Sequence, residues 1–98
     1  MIVNRQNNEN LIENVLGSRA RVKILKILAK YEELTISLII KKARLNYTCV
    51  LRHLNFLKKI NLIQEKNFGR IKIFRFKSEN IKARSLKKFI EIWEGDFY

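Results

Sequence analysis

Two kinds of chemistry overlap in one stretch of the chain, NYTCVLRHLNFLKK at positions 46 to 59. Cys49 and His53, the only cysteine and the only histidine, stand at i and i+4, the spacing of half a metal site on one flank of a helix. Thr48, Arg52 and Asn55 recur at i, i+4 and i+7 and carry the hydroxyl, guanidinium and amide groups that hydrogen-bond to base edges. The metal reading lacks two further ligands nearby, and a cysteine or histidine on a helix flank is commonly packed rather than ligating. We therefore expect no metal and no cofactor. His53 borders the apolar arc of the stretch, so the sequence predicts a partly buried histidine steadying the helix rather than a pH or ligand sensor. Phe56 shares the flank of Cys49 and should pack on a neighbouring element.

Catalysis finds no constellation. There is one histidine, no serine in a nucleophile-elbow context, and Gly17, Gly69 and Gly95 are too dispersed for a phosphate-cradling loop. The expectation is a protein that is not an enzyme. A single cysteine also excludes an intramolecular disulfide.

Charge narrows the partner. The 98 residues carry 21 Lys+Arg against 9 Asp+Glu, a formal +12. Positions 41 to 88 hold 15 basic and 2 acidic residues, so the excess is local. A basic patch on one half of a small domain suits a polyanion, either nucleic acid or an anionic membrane surface, against the plainer reading of a solvated lysine-rich surface. No apolar run reaches the roughly 18 residues of a membrane span, and MIVNRQNNEN lacks the apolar core of a signal peptide, so the expected location is the cytoplasm, in association with the nucleoid.

These side chains need elements to hold them. Leu11, Ile12, Val15 and Leu16 make a short amphipathic helix that Gly17 ends, and Ser18 caps the next. From Arg19 to Tyr31, Val22, Ile24, Leu25 and Leu28 form a core stripe with Lys23, Lys26 and Lys30 turned away. LTI at 34 to 36 is β-prone, and Ser37 is the expected N-cap of a helix through Ala43 that buries Leu38, Ile39 or Ile40. Arg44 and Leu45 form a tight turn, and Asn46 caps the 46 to 60 helix.

That helix has two faces. At about 100° per residue, Val50, Leu54 and Leu57 share a narrow arc, opposite Thr48, Leu51, Arg52 and Asn55 with Tyr47 beside them. It ends at Asn61, after which 62 to 76 reads as two strands joined at Gly69, with Lys66, Arg70 and Lys72 near the tip. Ser78 and Glu79 should open a last helix whose stripe is Ile81, Leu86, Phe89, Ile90, Trp93 and Phe97. The order is helix, helix, short strand, helix, helix, hairpin, helix. Two short helices in a tight turn followed by a basic hairpin are a winged helix-turn-helix, mainly α with a small β-hairpin (α+β), here a single domain over 1–98 with a polar arm at 1–10.

The stretch LGSRARVKILKILAKYEELTISLIIKKARLNYTCVLRHLNFLKKINLI followed by GRIKIFRF resembles the arsenic-repressor (ArsR) type of bacterial and archaeal regulator. The most specific pieces are LGSRARVKILKIL, VLRHLNFLKK and NLI entering the wing. The resemblance implies double-stranded DNA as partner, with Tyr47, Thr48, Leu51, Arg52 and Asn55 facing the major groove and Arg70 at the wing. To these the cation pattern adds Lys41, Lys42, Arg44, Lys58, Lys59, Lys66 and Lys72 as phosphate contacts. It also implies a homodimer through helices at 8–16 and 79–94, involving Leu11, Ile12, Val15, Leu86, Phe89, Ile90 and Trp93, with no membrane role. Metal-sensing members carry paired cysteines where LTISLII stands here, Leu51 replaces a small polar residue, and Arg44 replaces a turn glycine. The expected function is a sequence-specific transcriptional regulator; the alternatives are a DNA-coating chromosomal protein of low specificity and a protein-interaction winged helix.

Overall fold

The computed structural model describes residues 11–95. Residues 1–10, expected to form a polar arm and the start of the first dimer helix, and Phe97 of the last stripe lie outside the described residues. The element order is α1 (Ile12–Leu16), α2 (Arg19–Tyr31), β1 (Glu33–Thr35), α3 (Ile36–Ala43), α4 (Tyr47–Lys59), β2 (Ile63–Phe68), β3 (Ile71–Phe76) and α5 (Ile81–Glu94). This is the α+β winged helix predicted from the pattern.

The helix starts follow side-chain caps. Ser18 accepts from the Arg21 amide and Asn46 from the Cys49 amide, as their types suggest. Two caps differ from expectation. Thr35, rather than Ser37, caps α3 by accepting from the Leu38 amide. It serves because β1 ends there with extended backbone, which places the hydroxyl one turn below its target. Likewise Asn80, rather than Ser78, caps α5, its amide oxygen reaching both the Lys82 and Ala83 N–H groups.

At Gly17 a Cβ would press into the Glu13 carbonyl oxygen, so the α1–α2 corner excludes any side chain. The α3–α4 turn is different. Arg44 sits there at φ 57°, ψ 43°, a left-handed conformation that glycine adopts freely and arginine does not.

The core is where the periodic stripes meet. Ile24, Leu25 and Leu28 of α2, Ile39 and Ala43 of α3, and Val50, Leu54 and Leu57 of α4 are buried together with Phe74, Phe76 and Ile63 of the sheet. Val22, expected in the stripe, is only half-buried, and in α3 it is Ile39 that is buried while Leu38 is exposed. The antiparallel sheet runs β1-β3-β2, with Leu34 opposite Phe74 on the inner face and Glu33 opposite Arg75 on the outer. Lys26–Glu94 at 2.7 Å and Lys87–Glu32 at 3.0 Å tie α5 to the α2 end of the molecule. Such exposed pairs contribute little to stability; burial of Ala83, Leu86 and Ile90 against the core holds α5 in place.

Replacing Arg44 by glycine removes the left-handed penalty, about 1 to 2 kcal/mol, and adds back up to about 1 kcal/mol of chain entropy. The expected outcome is a gain of roughly 1 kcal/mol in urea unfolding of Arg44→Gly; a loss would contradict strain at this turn.

Candidate nucleic-acid interface

The helix α4 is held by its apolar arc. Val50, Leu54 and Leu57 have no exposed surface, which leaves Tyr47, Thr48, Arg52 and Asn55 facing outward. Leu51, also expected on this face, is half-buried. The helix turns its hydrogen-bonding side to solvent because its other side is consumed by the core.

His53 is 5% exposed and lies between the two faces. Its Nδ1 accepts from Arg21 Nε at 3.2 Å, and the Arg21 guanidinium stacks over the Phe56 ring, 3.7 Å from its centroid, while Arg21 Nη1 donates to the Asn14 carbonyl. One side chain from α2 thus joins α1 to α4. Phe56 packs on α2 through Arg21, as its flank position required of some neighbour, and sequence reasoning missed Arg21 because nothing local links positions 21 and 53. Beside two guanidiniums His53 is a poor seat for a metal cation.

Cations border the outward face. Lys41, Lys42, Arg44 and Lys59 are exposed around the turn and the end of α4, with Lys42 Nζ 4.1 Å from the centre of the Tyr31 ring. Among the expected phosphate contacts, Lys58 and Lys66 have carboxylate partners within the fold. Lys58 holds Glu65 at 2.8 Å and Lys66 holds Glu33 at 3.2 Å. The Lys58 hydrogen bond keeps the Glu65 carboxyl below the usual carboxylate range. The Lys58–Glu65 pair also joins β2 to the end of α4, while burial of Ile63, Phe74 and Phe76 anchors the hairpin.

At the hairpin tip Gly69 adopts φ 60°, the turn conformation expected of it, and Arg70 is exposed next to it. Lys72 is half-buried, opposite Asn67 on the inner face of the ladder. The hairpin also exposes Phe68 and Ile71, which sequence reasoning did not single out. Both are out of phase with Ile63, Phe74 and Phe76, a register that alternation gives without telling whether the face is covered.

Of the residues expected to join two copies, Leu11 and Ile12 of the first turn and Phe89 and Trp93 of α5 are exposed, Trp93 by 75%. Leu86 and Ile90 are half-buried on the core. Val15 corrects the expectation: at 5% exposure it belongs to the core of its own chain, because α1 folds back onto α2 and turns that side inward. Among the described residues no helix is long and apolar enough to cross a membrane.

Residues 18–65 match the model of the family described as bacterial regulatory protein, arsR family. Among solved structures, HlyU from Vibrio cholerae N16961 superposes with a TM-score of 0.75 at 12% identity, over 93% of this chain and 97% of that one. The transcriptional repressor PagR of Bacillus anthracis gives 0.69 at 20% identity, covering 87% and 93%. NolR from Sinorhizobium fredii gives 0.67 at 19%, covering 95% and 96%. A search of curated protein sequences finds no match.

Burial first, then Arg21 and Arg52, hold the His53 imidazole below its ordinary pKa. The unfolded chain takes up a proton near pH 6.5 that the fold refuses, so this contribution to stability is full above about pH 6.5 and declines as the pH falls below it. Thermal melts should show the acid-side loss in the wild type and a shallower one in His53→Gln. An equal slope in both would contradict a neutral, hydrogen-bonded His53.

Proposed function

We propose that this chain, a winged helix-turn-helix fold whose residues 18–65 match the arsR family model, is a homodimeric, sequence-specific regulator of transcription. It binds double-stranded DNA with α4 in the major groove and the β2–β3 wing on the adjacent backbone or minor groove. The observation that carries this reading is the split of α4, with Val50, Leu54 and Leu57 fully buried and Thr48, Arg52, Asn55 and Tyr47 outward in a cationic surround. A groove about 12 Å wide admits one helix, and these groups have the length and donor pattern to meet base edges there.

Arg44 supports the same reading. A strained left-handed arginine placed between α3 and α4 spends stability to present a cation beside the outward face, as strained residues at functional sites do. Lys41, Lys42, Lys59 and Arg70 supply further phosphate contacts, which set register and affinity without reading sequence. Lys58 and Lys66 contribute to the extent that phosphate competes with Glu65 and Glu33.

Dimerisation rests on exposed apolar surface. Ile12, Phe89, Ile92 and Trp93 are each more than half exposed, and the Phe89 and Trp93 rings stack with centroids 5.6 Å apart. Apolar patches of this kind mark interfaces, and a twofold pairing of α1 and α5 would set two α4 helices on one side of the dimer. Acidic Glu91 and Glu94 at that end disfavour an anionic membrane as the occupant.

Leu51 favours a second reading, a chromosomal coat of low specificity, since a half-buried apolar side chain beside the outward groups contributes no hydrogen bond. Titration at two salt concentrations against unrelated competitor duplex separates the two: a regulator keeps a preferred site as salt rises, whereas a coat loses all sites together. Absence of duplex binding near physiological salt would point instead to a protein-docking winged helix.

Within the regulator reading, Arg52→Ala should relax preference at one base pair by about 1 to 3 kcal/mol. Arg70→Ala should weaken all sequences alike and reduce the salt slope by about one. Uniform weakening by Arg52→Ala would contradict a base-reading role.

A further inference from the structure

The wing ends in an apolar pair. Phe68 and Ile71 are direct cross-strand partners on the last rung of the β2–β3 ladder, on either side of the Gly69–Arg70 turn. They are 62% and 54% exposed. Both lie on the outer face of the hairpin, in register with the Lys66–Ile73 and Gln64–Arg75 rungs and opposite to the face that carries Phe74 and Ile63 into the core. Neither belongs to the core cluster or to the side chains packed against it. A hairpin tip does not need two large apolar side chains to form, and an exposed pair of this kind is a liability unless something covers it.

Charge identifies the occupant. Exposed Arg70 lies in the turn between the two apolar side chains with Lys72 next along the strand, while Lys66 and Arg75 further down the hairpin are paired with Glu33 and Glu79. The surface that fits is polyanionic outside with an apolar interior opened by a wedge, which describes the minor groove of duplex DNA and its stacked base steps. Lys58 bonds Glu65, so this part of β2 lies by the C-terminal end of α4.

We propose that Phe68 and Ile71 form a wedge that enters the minor groove with Arg70 and partly unstacks a base step, bending the duplex. This rests on the DNA-binding reading above and deepens it. Sequence preference at the wing then comes from deformability: a flexible pyrimidine–purine step such as TA is favoured over a stiff A-tract without any hydrogen bond to a base.

The test uses the full chain and the duplex it enriches from a random pool, placed at permuted positions in a fragment for gel mobility. The wild type should bend the fragment by about 20° or more. The Phe68→Ser/Ile71→Ser variant should bind with the bend lost and with the preference for TA over AA at the wing position reduced about fivefold or more, a size of effect ordinary for one readout position. Its salt slope should be unchanged. Because both side chains are largely exposed, an unchanged melting temperature confirms that the fold is intact. Arg70→Ala should do the reverse, lowering the salt slope while keeping the bend. A bend equal in wild type and double variant, or a wild type that binds without bending, overturns the wedge while leaving DNA binding standing. A wild type that binds no duplex overturns both. Binding of phosphatidylglycerol vesicles that the double variant loses, with bending unaltered, overturns the wedge in favour of a lipid contact.

Discussion

Everything in this structure depends on the burial of one arc of α4. Val50, Leu54 and Leu57 are fully enclosed by α2, α3 and the inner face of the sheet. Side chains on opposite arcs of a helix have no freedom to exchange places, so enclosing three of them determines which side chains meet solvent. Thr48, Arg52 and Asn55 are presented because Val50, Leu54 and Leu57 are not. At about 25 cal/mol per Å² of apolar area removed from water, three fully buried aliphatic side chains outweigh the exposed ion pairs around them.

The surroundings of α4 refine that placement. Asn46 begins the helix where its amide oxygen meets the Cys49 N–H, and Arg44 bends the chain into it through a left-handed residue. Arg21 reaches across from α2 to His53 and Phe56 while holding the Asn14 carbonyl of α1. On the other side Lys58 and Glu65 join α4 to the wing. The outward face, the first helix and the hairpin are therefore positioned by contacts that converge on one helix. Surface charge then gives the chain its bias toward a polyanion, because the cations of 41 to 88 greatly outnumber the two acids there, Glu65 and Glu79, each of which is paired with one cation.

Much of this was legible in the sequence, for reasons that are local. The two faces of α4, the Ser18 and Asn46 caps, the turn at Gly69 and the order of elements follow from periodicity and from residues with strong positional preferences. What was misread turns on competition or on distance along the chain. Ser37 and Thr35 are both competent caps, and β1 pairing with β3 decided for Thr35. Ser78 yielded to Asn80 because the Asn80 side chain, besides capping α5, donates to the Asn61 carbonyl 19 residues earlier. Val15 looked like one of several interfacial residues until α1 was seen to fold inward. The Arg21–His53 bond and the Lys66–Glu33 pair span more than thirty positions, and no periodicity reports them. Phe68 and Ile71 were hidden for another reason, since alternation in a strand says which residues share a face but not whether that face is covered.

The measurement closest to the central claim is selection of duplex DNA from a random pool by the intact protein, with the mass of the bound species determined alongside. Two copies presenting α4 on one side predict an enriched site made of two inverted half-sites, their centres about one helical turn or a multiple of it apart, bound by a dimer. Enrichment of no sequence over the starting pool, or of a single half-site bound by one copy, would contradict the account.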